Sequence, residues 1–123
     1  MNTKSYSPIS LKLHAINDLI SLLFVLISPW LLGYSDNAPA TLYALAMFGG
    51  GMALNIASDY PLGFFKLIPM TWHRRIEFTT PGIFIVAPWI FFAEAGWMPW
   101  ALTAAGVMIV LNSALTREVV AKP

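Results

Sequence analysis

The 123-residue chain is 58% hydrophobic and only 11% charged, with a formal net charge of +1 and no cysteine. Soluble domains average about 25% charged residues, and a short chain buries a limited share of its surface, so the composition asks for lipid rather than water as solvent. The small net charge gives no pull toward nucleic acid, and the missing cysteines remove disulfides, thiolate metal sites and cysteine nucleophiles.

A bilayer core of about 30 Å calls for about 20 mostly apolar residues per helix. The first such segment covers residues 13–32. Read alone it resembles the apolar part of a cleavable signal peptide, but Pro39 spoils the only small-x-small site after it, and a matching stretch recurs in the middle of the chain. The second span covers 39–57, with Pro39 suited to a first helical turn. Residues 62–70, apolar but short around Lys66, are expected to lie in the membrane interface. The third span covers 76–92 and the fourth 99–115. Short connections at 33–38 and 93–98 make neighbouring helices antiparallel. The expected architecture is an all-α membrane protein, a four-transmembrane-helix bundle in a single membrane domain.

Charge placement orients the bundle. Lys4 and Lys12 precede the first span, Lys66, Arg74 and Arg75 separate the second from the third, and Arg117 and Lys122 follow the fourth. All seven basic residues thus lie on one side, which the positive-inside rule makes cytoplasmic, together with both termini. The two short loops carry Asp36 and Glu94 instead. Trp30, Tyr34, Trp89, Trp97 and Trp100 form an aromatic belt at the outer face, and Tyr60 and Trp72 mark the inner one.

The two halves of the chain resemble each other. Sliding His14 onto His73 brings Asp18 onto Glu77, Ser21 onto Thr80, and Ser28-Pro29-Trp30 onto Ala87-Pro88-Trp89. In the second helices Gly49 falls on Gly106, Leu54-Asn55 on Leu111-Asn112 and Ala57 on Ala114, a shorter second loop absorbing the change of register. Several matches are polar, which a chance alignment of two apolar helices rarely gives. The expectation is two tandem helix-hairpin repeats, about 12–58 and 72–116, joined by a linker at about 59–71 and related by a pseudo-twofold axis along the membrane normal.

The string Ser28-Pro29-Trp30-Leu31-Leu32-Gly33-Tyr34 resembles the SPW-repeat family of small prokaryotic membrane proteins, named for this motif near the end of the first helix of each repeat. The second copy departs from it, with Ala87 for the serine and Phe91-Phe92 for Leu32-Gly33. The resemblance implies architecture and a bacterial inner-membrane location, but no activity. Physically, Pro29 and Pro88 each remove a helical hydrogen bond, the Ser28 hydroxyl can re-satisfy a freed carbonyl, and Trp30 and Trp89 anchor the helix end at headgroup depth. Gly49-Gly50-Gly51 in the second span, and Gly106 with Ala104, Ala105 and Ala114 in the fourth, offer small faces for close helix packing within the bundle or at a homodimer seam.

One constellation has the residue types for chemistry. His14, Asp18 and Ser21 line one face of the first helix; His73, Glu77 and Thr80 repeat that stripe in the third. Asp18 sits about 9 Å into its span at 1.5 Å per residue. Asn55 and Asn112 lie near the inner ends of the second and fourth spans, so all eight side chains share one layer. Carboxylates there should face the bundle interior. Three readings stay open. The first is a structural network with each histidine paired to the carboxylate one turn on, and Arg74 to Glu77. The second is a proton or ion site between the repeats. The third is a metal or haem held by His14 and His73. No cofactor is assigned by the spacing, and no phosphate loop, catalytic triad or extramembrane domain points to an enzyme. The sequence therefore favours a non-catalytic accessory or structural component of the inner membrane. Its partners would be the lipid bilayer and copies of itself or a larger membrane complex. A small proton, ion or solute carrier and a haem- or metal-binding protein are the alternatives.

Overall fold

A computed structural model describes residues 9–116. Lys4, Arg117 and Lys122, three of the charges used for orientation, lie outside the described residues. The described chain is all-helical: α1 (Leu11–Leu31), α2 (Ala38–Ala57), α3 (Met70–Thr79), α4 (Pro81–Ile85), α5 (Ala87–Phe91) and α6 (Met98–Leu115). Three of these, α1, α2 and α6, are long and apolar enough to cross a membrane.

Helix α1 starts where the Ser10 side chain caps Leu13 N at 3.2 Å. It runs through Pro29 without ending there. Proline cannot return a hydrogen bond to the Val25 carbonyl, and the Ser28 hydroxyl donates to that carbonyl instead, at 2.8 Å. The Ser28 hydrogen being used, the Tyr34 hydroxyl donates to Ser28 Oγ at 2.5 Å and ties the following turn to the helix. Trp30 and Trp89 both face outward; Trp89 donates its indole N–H to Thr103 Oγ1 at 2.9 Å and meets Trp100 edge to face.

Helix α2 begins on an Asn37 side-chain cap and ends at Ser58. Its last carbonyls need donors, and the linker supplies them. Phe64 N and Phe65 N donate to Ile56 O at 2.8 and 3.0 Å, and Leu67 N and Ile68 N to Ala57 O at 2.7 and 2.9 Å. The linker is thus a loop folded back under α2, and it turns Phe64, Phe65 and Leu67 outward at 81, 60 and 75% exposure.

The third expected span, residues 76–92, is divided. Helix α3 stops at Thr79, α4 begins at Pro81, and Val86 separates α4 from α5. Both breaks follow from proline: Pro81 has no N–H for the Glu77 carbonyl and Pro88 none for that of Phe84. At the first break Thr80 N and Thr80 Oγ1 both donate to Ile76 O, closing α3 early.

The core lies where α1, α2, α4 and α6 meet, around Val25, Ala44, Phe84, Met98, Leu102 and Ala105. Small residues set the separations. A Cβ on Gly106 would lie 2.7 Å from Phe84 Cβ and 2.8 Å from Ile85 Cγ1, so α4 rests directly on the α6 backbone. A Cβ on Gly51 would meet the Leu22 side-chain tip from α1, whereas Gly49 and Gly50 face open space. Of the glycine run in α2, only Gly51 therefore packs against another helix among the described residues. At the other end of the bundle Ile9 N reaches Leu115 O at 3.3 Å, so the start of α1 and the end of α6 lie side by side.

Gly106→Ala should force α4 off α6 and cost about 1–3 kcal/mol, seen as a lower melting temperature in detergent. Gly49→Ala should raise stability by about 0.5–1 kcal/mol through helix propensity alone. Equal effects of the two would contradict the packing described.

Candidate functional site

The polar layer assembles at the end of the bundle where α1 starts and α6 finishes. His14 and Asp18 come from the first two turns of α1, and His73 and Glu77 from α3; all four are buried. They close into a ring in which imidazole and carboxylate alternate. His14 Nε2 lies 3.3 Å from Asp18 Oδ2 and 3.2 Å from Glu77 Oε2. His73 Nε2 lies 3.4 Å from Asp18 Oδ2 and 3.0 Å from Glu77 Oε1. Each histidine thus touches the carboxylate one turn along its own helix and the one on the facing helix. The ring centroids of His14 and His73 are 5.6 Å apart.

The far side of each imidazole is held by a hydroxyl. Ser58, at the end of α2, lies 2.6 Å from His73 Nδ1, and Thr116, at the end of α6, lies 2.5 Å from His14 Nδ1. A hydroxyl has one hydrogen. Ser58 spends its hydrogen on Leu54 O at 2.6 Å, and Thr116 spends its own on Asn112 O. Both hydroxyls must therefore accept from the histidines, which fixes a proton on each Nδ1. Each Nε2 then meets the carboxylates with either a second proton, as imidazolium, or a bare lone pair. Lone pairs at 3.0–3.4 Å from carboxylate oxygens repel. The ring is self-consistent when a proton or another cation lies between each Nε2 and the carboxylates.

The carboxylates are fixed as firmly. Asn112 Nδ2 donates to Asp18 Oδ1 and to His14 O, both at 2.9 Å. The Tyr60 hydroxyl donates to Asp18 Oδ2 at 3.3 Å, and Ser113 Oγ donates to Glu77 Oε2. Arg74 turns to the backbone of α6, where its Nη2 and Nε donate to Ser113 O at 2.9 and 3.3 Å. Tyr60, expected at the depth of the inner face, is buried there within the polar layer, its ring 4.6 Å from that of His73 and 6.1 Å from that of His14. Burial, reinforced by the charges of Asp18 and Glu77 and by its bond to Asp18, holds the Tyr60 phenol well above the usual tyrosine range.

Of the remaining expected residues, Asn55 and Thr80 line a cavity of about 40 Å³ together with Asp18, Glu77, Leu22 and Phe84. That volume is enough for one or two waters. Asn55 is buried and its Nδ2 has no hydrogen-bond partner among the described residues. Ser21 is buried one turn beyond Asp18. Four contributors escaped the sequence reading: Ser58, Tyr60, Ser113 and Thr116. For two of them a signal existed, since Ser58 and Thr116 follow the paired Asn55 and Asn112 by about one helical turn. A haem, one of the alternatives left open by the sequence, does not fit between the histidines, because Asp18 and Glu77 occupy the space between the imidazoles where a flat macrocycle would lie. The chain matches no protein-family model, no curated protein and no solved structure.

Ser58→Ala should leave the buried His73 Nδ1–H without an acceptor and cost about 1–3 kcal/mol, read as a lower melting temperature. Tyr60 gives a pH signature. Its phenol stays neutral in the fold while the unfolded chain ionises near pH 10, so its contribution is whole below that pH and falls as pH rises beyond it. Tyr60→Phe should flatten the loss of stability above about pH 10; an unchanged slope would place the phenol in water.

Proposed function

We propose that this protein is a cation-binding integral membrane protein of the bacterial inner membrane, and that the ring of His14, Asp18, His73 and Glu77 is its binding site. The observation that carries this reading is the direction of the four charged edges. Two carboxylates and two Nε2 atoms converge in a buried space, with every outward-facing atom of the imidazoles already committed to Ser58 or Thr116. Intramembrane ionisable groups arranged around a common centre, instead of being paired off singly, are expensive to keep and mark ion sites. The small cavity beside the site touches both carboxylates and has room for one or two waters.

Four spans support this reading if α3 to α5 cross together as one interrupted helix, as broken helices do where they line a site. The basic residues then put the ring on the cytoplasmic side, and the SPW-type duplication accounts for the reciprocal contacts of the two stripes. No catalytic role is assigned. Handling of the bound cation would be storage, delivery to a larger complex, or carriage across the bilayer.

A second reading, a structural component of a membrane assembly, is favoured by the same ring acting as a clamp. It joins α1 to α3, and Thr116, Asn112 and Ser113 add α6.

The two readings separate in a stability measurement on the full chain in detergent. A ligand that binds only the folded state at a hundredfold excess over its Kd adds about 2.7 kcal/mol. Cation binding predicts a raised melting temperature with one or more members of a panel of Na⁺, K⁺, Mg²⁺, Ca²⁺ and Zn²⁺. That rise should be lost in the Asp18→Asn, Glu77→Gln double variant. A melting temperature indifferent to every cation, with the double variant still inserted and helical, would leave the clamp alone.

A further inference from the structure

We infer that the cation is a divalent first-row transition metal of the zinc class, held in four-coordination by His14 Nε2, His73 Nε2 and one oxygen each of Asp18 and Glu77. This rests on the cation-binding reading and names its ligand.

The donor set comes first. Imidazole nitrogen lone pairs suit zinc, iron, nickel and copper, whereas magnesium and calcium take shells of oxygen, six to eight of them for calcium. A site offering two nitrogens and two carboxylates suits a borderline metal better than a hard one. The charge also matches, since Asp18 and Glu77 supply two negative charges in a buried space and both histidines can bind as neutral ligands.

The distances agree. Metal–nitrogen and metal–oxygen bonds of about 2.0–2.1 Å in a tetrahedral site separate neighbouring ligand atoms by about 3.3–3.4 Å. Here His14 Nε2 and His73 Nε2 lie 3.3 and 3.4 Å from the same Asp18 Oδ2, while Glu77 meets His14 Nε2 through Oε2 at 3.2 Å and His73 Nε2 through Oε1 at 3.0 Å, and one ligand atom from each residue lies within 4.8 Å of all the others. Whichever Glu77 oxygen serves as the ligand, three of the four neighbouring imidazole–carboxylate pairs already stand at about the spacing of a tetrahedral site.

His14 Nε2 decides between a metal and protons. It is buried and makes no hydrogen bond with acceptable geometry to any described residue, although two carboxylate oxygens lie within 3.3 Å of it. A proton on this atom would point at neither oxygen. A metal ion needs no such alignment with a carboxylate, only a lone pair aimed at a shared centre.

The surroundings have the form of metal-site support. Ligating histidines ordinarily donate their other N–H to an oxygen that fixes tautomer and ring orientation, and ligating carboxylates are themselves hydrogen-bonded. Ser58 and Thr116 do the first, each anchored through its own hydrogen to a helix-end carbonyl. Asn112, Tyr60 and Ser113 do the second.

The test uses the purified full chain in detergent, stripped with a chelator and titrated with Co²⁺. The expected result is one Co²⁺ per chain with intense visible d–d bands, the mark of four-coordination. Stoichiometric Zn²⁺ should bleach them, and a large excess of Mg²⁺ or Ca²⁺ should leave them unchanged. X-ray absorption on the Zn²⁺ form should show imidazole outer-shell scattering. His14→Gln and Glu77→Gln should abolish the bands, and Ser58→Ala should weaken Zn²⁺ binding about 10- to 100-fold. If the histidine variant fails to insert, the wild-type spectrum and scattering still decide. Tight binding of Ca²⁺, Mg²⁺ or Na⁺ with no Co²⁺ bands would overturn the transition-metal assignment and leave a cation site standing. Binding of no cation at all would sink both.

Discussion

Two carboxylates and two imidazoles within a bundle of apolar helices set the terms for the rest of the structure. Each charge taken out of water costs several kcal/mol unless a partner of opposite sign and satisfied hydrogen bonds offset it. The protein meets that demand with a closed ring in which imidazole and carboxylate alternate and both Nδ1 atoms and both carboxylates have hydrogen-bond partners. Removing one member leaves its neighbours uncompensated, so the ring constrains where α1, α3 and α6 stand relative to one another. The buried polar side chains Ser58, Tyr60, Asn112, Ser113 and Thr116 are where they are because of it.

Helix ends do much of this positioning. The last turns of α2 and α6 leave carbonyls that take the hydroxyl hydrogens of Ser58 and Thr116. That use of the hydrogen makes each hydroxyl a pure acceptor toward its histidine and so selects the tautomer. The linker secures the same place from below. It folds its N–H groups onto Ile56 and Ala57, and Gly63 packs against the Ser58 carbonyl so closely that a Cβ would lie 1.5 Å from that oxygen. A loop that looks like interfacial filler in sequence thereby fixes a partner of His73.

The prolines shape the other wall. Pro81 ends the regular helix one turn after Glu77, and the break brings Thr80 and Phe84 to the cavity beside the carboxylates. Pro29, in contrast, interrupts nothing, because Ser28 re-satisfies the carbonyl it frees. The same residue type thus breaks one helix and is absorbed by another. The difference is where the neighbouring hydroxyl goes: Ser28 bonds the Val25 carbonyl that Pro29 frees, Thr80 bonds Ile76 O and not the Glu77 carbonyl that Pro81 frees, and Ala87 before Pro88 has no hydroxyl.

Composition and period alone determined that the chain is helical and suited to lipid, and placed α1, α2 and α6 to within two residues of where they lie. They also picked out His14, Asp18, His73 and Glu77, because polar residues in an apolar helix are costly and repeated ones are conspicuous. Three things only the tertiary structure decided. The ring closes across helices as well as along them, since the i, i+4 spacing of His14 and Asp18 cannot say which carboxylate on another helix will face the imidazole. The third helix breaks at Thr80 and Val86, since a proline's effect depends on what takes up the carbonyl it frees. The tautomer of both histidines is set by Ser58 and Thr116, which look like ordinary helix-end hydroxyls until the fold brings them within hydrogen-bonding distance of His73 and His14.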